Sequence, residues 1–306
     1  MLHRNTSGVG FLVVAGVLWG TGGLTGSLLA HHTGLGPLAV AAYRLGGGGL
    51  LLVAVRTATR RPVPRGRDAR TRIAIVGGLA ALFQATYFAA VQTVGVSVAT
   101  LLTIGASPVL VLTAEAATGR RRIGPGAAGI ATLAVAGLAL LVGVPDGTRN
   151  LTALLAGGGF ALVAAAGFAA MTLIQARPVP GLDEIATTGW SFTLGAALLA
   201  PIAAATTGLR FTVDPAGLGL AAAIAVGPTA LGYAAYFRGL RTAPAGTASL
   251  MALLEPLIGT ALAAIVLGDR LGPAGLAGAA LLVVALVLEP RVRAGGRHAV
   301  SVSSDG

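Results

Sequence analysis

The chain has no cysteine and no lysine among its 306 residues, and only 10% of them carry a charge. Without cysteine there are no disulfides and no thiolate metal sites, and the redox compartment leaves no trace. Without lysine there is no P-loop lysine, no Schiff-base lysine and no pyridoxal phosphate chemistry. The scarcity of charge says the most. A soluble chain carries about 25% charged residues, whereas this one is 55% hydrophobic with a mean hydropathy of +0.85. So few polar groups cannot cover a water-facing surface, and the solvent for most of the chain is lipid.

What is present is doubled. The stretch from Thr247 to Glu289 reads as two apolar runs joined by Gly268-Asp269-Arg270-Leu271-Gly272-Pro273, with Glu255 directly before Pro256 inside the first run. The stretch from Thr100 to Val144 repeats the pattern: an apolar run with a mid-run Pro108, a basic turn after Gly119, then a restart at Gly124-Pro125. Tyr87-Phe88 and Thr93 correspond in the same way to Tyr236-Phe237 and Thr242. The chain reads as a duplicated unit of roughly 150 residues.

Ten apolar spans of membrane-crossing length follow one another, at 8–30, 36–55, 73–92, 97–117, 124–144, 151–174, 185–206, 216–237, 245–267 and 272–289. The predicted fold is an all-α integral membrane protein of ten transmembrane helices. Residues 1–147 form a first five-helix repeat, 148–290 a second, and 291–306 a disordered cytoplasmic tail. The first span is long and nine more follow, so it reads as a retained membrane helix rather than a signal peptide.

All basic residues are arginine, and their placement sets the expected orientation. With the N-terminus inside, seventeen arginines fall on the inner side and three (Arg149, Arg210, Arg270) on the outer, with Arg44 inside the second span. The positive-inside rule then puts both termini in the cytoplasm of a cell-membrane protein. The net charge of +11 needs no nucleic acid as a partner. Five spans per half also means that the second half enters the membrane inverted, an arrangement that places a substrate site near the midplane where the halves meet.

At this point the chain resembles the EamA-type drug/metabolite transporter superfamily. The resemblance rests on the ten spans in two five-helix halves, Trp19-Gly20 in span one, Arg44 in span two and the paired proline–glycine helices. It implies a carrier of small metabolites, commonly amino acids or drug-like compounds, moved outward.

Several side chains stand out at membrane depth. Glu255 lies about 15 Å deep at 1.5 Å per residue, where lipid exposure costs an acid roughly 2.5–3.5 kcal/mol. It should therefore face the bundle interior, as a proton-coupling or substrate-amine site or as the partner of a neighbouring helix. Arg44 cannot shed its proton, so it either pairs with Glu255 or holds a substrate carboxylate. Gln84 and Tyr87 share a helix face, and their repeat counterparts are Tyr233 and Tyr236; the four can line a cavity from both halves. Tyr236, near the inner end, also suits an interfacial anchor. Trp19 sits mid-span, away from the usual aromatic belt, as cavity lining or core. Pro108 and Pro256 are expected to break their helices at matching positions. Gly16, Gly20, Gly22, Gly26 and the run Gly46–Gly49 suit close helix packing. Glu115 and Glu289 are expected to snorkel beside neighbouring arginines, and Trp190 to anchor at the interface.

The sequence contains no metal-ligand cluster, no Ser–His–Asp arrangement and no dinucleotide glycine signature, which argues against an enzyme and against a cofactor. The partners expected are a small-molecule substrate, protons as a coupling ion, and the lipid bilayer, with the chain as monomer or homodimer. A secondary transporter is one reading; a channel, scramblase or membrane subunit is the other.

Overall fold

The computed structural model describes residues 2–120, 124–143, 151–266, 268 and 270–302. The helices are α1 (Leu2–Thr33), α2 (Pro37–Ala58), α3 (Arg67–Ala117), α4 (Pro125–Val142), α5 (Leu151–Gln175), α6 (Glu184–Thr206), α7 (Pro215–Ile224), α8 (Gly232–Gly239), α9 (Ala245–Met251), α10 (Leu254–Val266) and α11 (Pro273–Val302). A π-helical segment, Ala225–Leu231, joins α7 to α8. The described residues hold no strand, only an isolated bridge between Val179 and Leu182.

Local chemistry explains the helix starts. Pro37, Pro125 and Pro215 each occupy the first turn, where a missing N–H costs nothing. Asp183 and Asp214 accept the N–H groups of Ala186 and Gly217 as caps. Eight helical stretches among the described residues are long and apolar enough to cross a membrane, and Pro273–Glu289 forms a shorter apolar one. Large apolar side chains such as Leu50, Leu155 and Ile265 stand exposed along these helices. The protein is a multi-pass membrane protein.

α3 holds two of the expected spans in 51 residues, interrupted at Gly95 by a non-helical φ of 81° and ψ of 163°. The hydroxyls of Tyr87 and Thr100 lie 2.9 Å apart. In a straight helix thirteen residues cover about 20 Å, so the chain folds back on itself at Gly95. By contrast, Pro108 does not break its helix as expected. α3 runs through it, and Ser107 donates to Thr103 O at 2.6 Å in the turn before the proline.

Helix pairing is mirrored between the halves. α1 packs on the α7–π–α8 stretch and on α10, all from the second half, while α5 packs on α3 from the first. α2 pairs with α6, and α4 with α11. Glycine makes these approaches possible. A Cβ on Gly49 would stand 2.5 Å from Thr193 N in α6, and one on Gly137 3.0 Å from Gly278 O in α11. Gly16 and Gly20 meet Leu254 and Ile258 of α10, and Gly22 and Gly26 meet Pro228 and Ile224.

One large core runs through the bundle and joins residues of α1 to α6, α8, α9 and α11. Smaller buried clusters lie beside it. One cluster joins Leu29, Leu35, Ala39, Val40, Ala203 and Ile224; another joins Ala90, Val94, Ala99 and Ala161. No residue of α10 is fully buried.

Three expectations about the helix ends change. Glu115 and Glu289 are buried rather than snorkelled, and Thr247 donates to Glu289 Oε1 at 2.8 Å; a hydroxyl on α9 offers the acid an internal partner. Tyr236 is 1% exposed, so it is core and not an interfacial anchor. α11 continues to Val302, carrying helix into the stretch from Arg291 expected as a disordered tail; after Pro290 no proline stops it.

Candidate functional site

The residues singled out at membrane depth lie on α1, α2, α3, the π segment, α8 and the α9–α10 junction, the floor of the candidate site. That junction is an interruption. α9 ends at Met251 and α10 starts at Leu254. Pro256 removes the N–H that would bond Ala252 O, and Glu255 N takes that carbonyl instead in a tighter turn at 3.0 Å. The first turn of α10 is thereby set off from α9, with Glu255 at its head.

Glu255 is half-buried, and among the described residues its carboxylate has no hydrogen-bond partner and no direct ion pair. Arg44 lies near enough for the two charges to interact, and Tyr87 and Tyr233 lie in the neighbourhood of both. Residues from span two, span three, span eight and span nine therefore share one electrostatic neighbourhood. Four of the residues singled out in the sequence converge here.

Arg44 is held, not free. Its Nε donates to Thr229 Oγ1 at 3.3 Å, and Thr229 in turn donates to Ile224 O, five residues back, at 2.8 Å. That longer reach belongs to the π segment around Pro228. π turns inside α-helices commonly mark functional sites; here the turn presents Thr229 to the arginine. The remaining guanidinium donors have no acceptor among the described residues and are open to a ligand carboxylate.

Aromatic rings wall the arginine-rich side of this floor. Trp19 is 4% exposed and packs on Tyr233 and Tyr236 at 4.8 Å each and on Phe168 at 5.9 Å. Its indole Nε1–H has no partner among the described residues. Tyr87 stacks on Phe83 and meets Phe88 edge-on. Gln84 is buried at 2%, one turn before Tyr87 on α3, and its amide makes no hydrogen bond to a described residue. Pro108 is buried further along α3.

The sequence reading missed Thr229, Thr100, Phe168 and Thr172. Threonine is too common in membrane helices to single out, and no spacing rule reveals a π turn. Pro228 was the one available signal. Among the described residues no group of three or more His, Asp or Glu is placed to hold a metal ion.

This fold and floor define a lipid-embedded helical bundle that carries an arginine and an acid at membrane depth. The model of the EamA-like transporter family matches residues 6–143 and 155–288, and the chain belongs to that family. A curated protein of Bacillus subtilis (strain 168), named as the uncharacterized transporter YwfM, is 30% identical over 279 residues, covering 91% of this chain and 92% of its own. A solved crystal structure shares the fold with a TM-score of 0.79 at 19% identity, over 93% of this chain and 98% of that one.

Proposed function

We propose that the chain is a secondary transporter of small metabolites, exporting amino acids or drug-like compounds by alternating access. The bundle is read as ten crossings in an inverted 5+5 repeat, 1–147 and 148–290, in the cell membrane with both termini cytoplasmic. Membership of a transporter family and the name of the B. subtilis relative support transport itself. The two separate family matches and the mirrored pairing of α1 and α5 support the repeat. The arginine-rich placement of loops supports the orientation.

One observation carries the site: an arginine and an acid lie near each other at membrane depth and, among the described residues, make no ion pair. Half-buried opposite charges with unmade bonds are costly unless something completes them. A zwitterion places a carboxylate on Arg44 and an ammonium on Glu255, with Trp19, Tyr87 and Tyr233 as walls and Gln84 as a further polar contact. When no substrate is bound, a proton on Glu255 serves the same end, which is how a proton gradient drives the cycle. Opening the arginine-rich end while closing the other exchanges the site between the two sides.

Counterflow in proteoliposomes tests this reading. Unlabelled amino acid loaded inside should drive transient accumulation of labelled amino acid, saturably. A linear, non-saturable flux would assign the protein to the channel or scramblase class instead.

A further inference from the structure

A second site lies away from the first, and it depends on the membrane reading alone, not on what is carried. The short connection after α2 and the loop before α6 flank an open surface cavity of about 550 Å³ lined by Arg56, Arg61, Arg241 and Asp183, with an apolar wall that includes Pro62 and Val179. Three arginines and one acid leave the lining at a formal +2. We propose that this cavity binds the phosphate headgroup of an anionic phospholipid.

The ion pairs already present show which charge is available. Asp183 is spent: Oδ1 accepts Ala186 N at 2.7 Å and Oδ2 faces Arg56 at 2.6 Å. Arg56 is also used up, since Nη2 donates to Pro62 O at 2.9 Å. Arg241 donates to Leu182 O and pairs with Glu184, both at 2.9 Å. Arg61 differs. Its side chain is 58% exposed, and its contact with Asp183 is a long 3.4 Å to an oxygen that Arg56 already holds. A phosphate oxygen gives Arg61 a shorter partner without disturbing the Arg56–Asp183 pair. The choline of a zwitterionic headgroup finds no open acid in the lining.

Position favours a lipid over a free anion. The cavity opens where α2 ends and α6 begins, at headgroup depth for helices of this length. Val63 stands 49% exposed two residues from Arg61, and with Pro62 it offers the glycerol and upper acyl region an apolar surface. Basic pockets between helix ends are the places where membrane proteins hold anionic headgroups.

The test is thermal unfolding of the full chain in an uncharged detergent with dioctanoyl-phosphatidylglycerol, dioctanoyl-phosphatidylcholine or inorganic phosphate. The phosphatidylglycerol should raise the melting temperature saturably, and the other two should not. Arg61→Ala should weaken that effect about tenfold, while Arg65→Ala, an exposed arginine outside the cavity, should leave it unchanged. Native mass spectrometry of retained phosphatidylglycerol gives the same comparison if a variant melts early. Equal stabilisation by phosphatidylcholine, equal loss in Arg65→Ala, or a full shift from inorganic phosphate alone would each overturn the proposal.

Discussion

The hydroxyl of Tyr236 on α8 lies 2.9 Å from the hydroxyl of Thr172 on α5. The bond links α8, which packs on α1, to α5, which packs on α3, and both side chains are fully buried. Glu184 pairs with Arg238 and Arg241 at 2.9 Å each near the same end of the bundle. On the alternating-access proposal, such bonds must break for that end to open.

Tyr236→Phe removes this bond and keeps the ring packed on Trp19 and Phe168. A net hydrogen bond is worth about 0.5–1.5 kcal/mol, so the population open at the arginine-rich end should rise roughly two- to tenfold. Because the chain has no cysteine, a single Ala252→Cys reporter at the floor of the candidate site reads this directly. Labelling by an impermeant maleimide applied at the arginine-rich face should speed up by that factor. An unchanged rate would mean that the bond plays no part in gating.

Gly95 makes a second prediction. Its φ of 81° with ψ of 163° lies in a region open essentially to glycine alone, costing other residues about 1–3 kcal/mol. Gly95→Ala should therefore lower the melting temperature in detergent, while Gly10→Ala, in a helix with open space around the site, should not. An equal response in both would show that the fold-back at Gly95 does not depend on that backbone conformation.

These two residues also mark where the sequence was legible. Composition and arginine spacing revealed lipid-embedded helices, and the midplane charges Arg44 and Glu255 were visible because charge is so rare in such a chain. Tyr87 and Tyr233 drew notice through the repeat, as the counterparts of Tyr236 and Gln84. Burial of Tyr236 did not follow from it, because distance along a helix says nothing about which face a neighbour covers. The prolines misled in part: Pro108 leaves α3 intact, whereas Gly95 ends its straight run, since a positive φ is invisible until the chain has turned. Glu289 looked like a surface acid because its partner, Thr247, comes from a remote helix.

Asp183 supplies the pH dependence. Burial alone pushes its carboxyl up, but the N–H of Ala186 and the guanidinium groups of Arg56 and Arg61 outweigh it and hold the carboxyl below its ordinary value of 3.8. A depressed folded-state value contributes stability that is complete above the unfolded value and lost as pH falls through the folded one. The melting temperature should thus be insensitive to this group from neutrality down to about pH 4 and fall below that. Asp183→Asn keeps a helix cap but strands the buried Arg56, so it should be less stable at neutral pH and lose less on acidification. A wild-type-like acid slope in the variant would place the acid sensitivity elsewhere.

The candidate site makes the most specific demand. If Arg44 takes a carboxylate and Glu255 an ammonium, each should be testable without the other by changing the ligand rather than only the protein. Take one bound amino acid, its amide (no carboxylate) and its deamino analogue (no ammonium), with affinities measured by thermal shift. The wild type should prefer the amino acid over both by about tenfold or more, the worth of one charge-assisted bond. Arg44→Gln should erase the preference over the amide and keep that over the deamino compound; Glu255→Gln should do the reverse. Arg44→Lys should recover little, because the planar fork that bonds Thr229 and a carboxylate together has no equivalent in an ammonium. Loss of both preferences in either single variant would mean that the two charges serve each other and not the ligand.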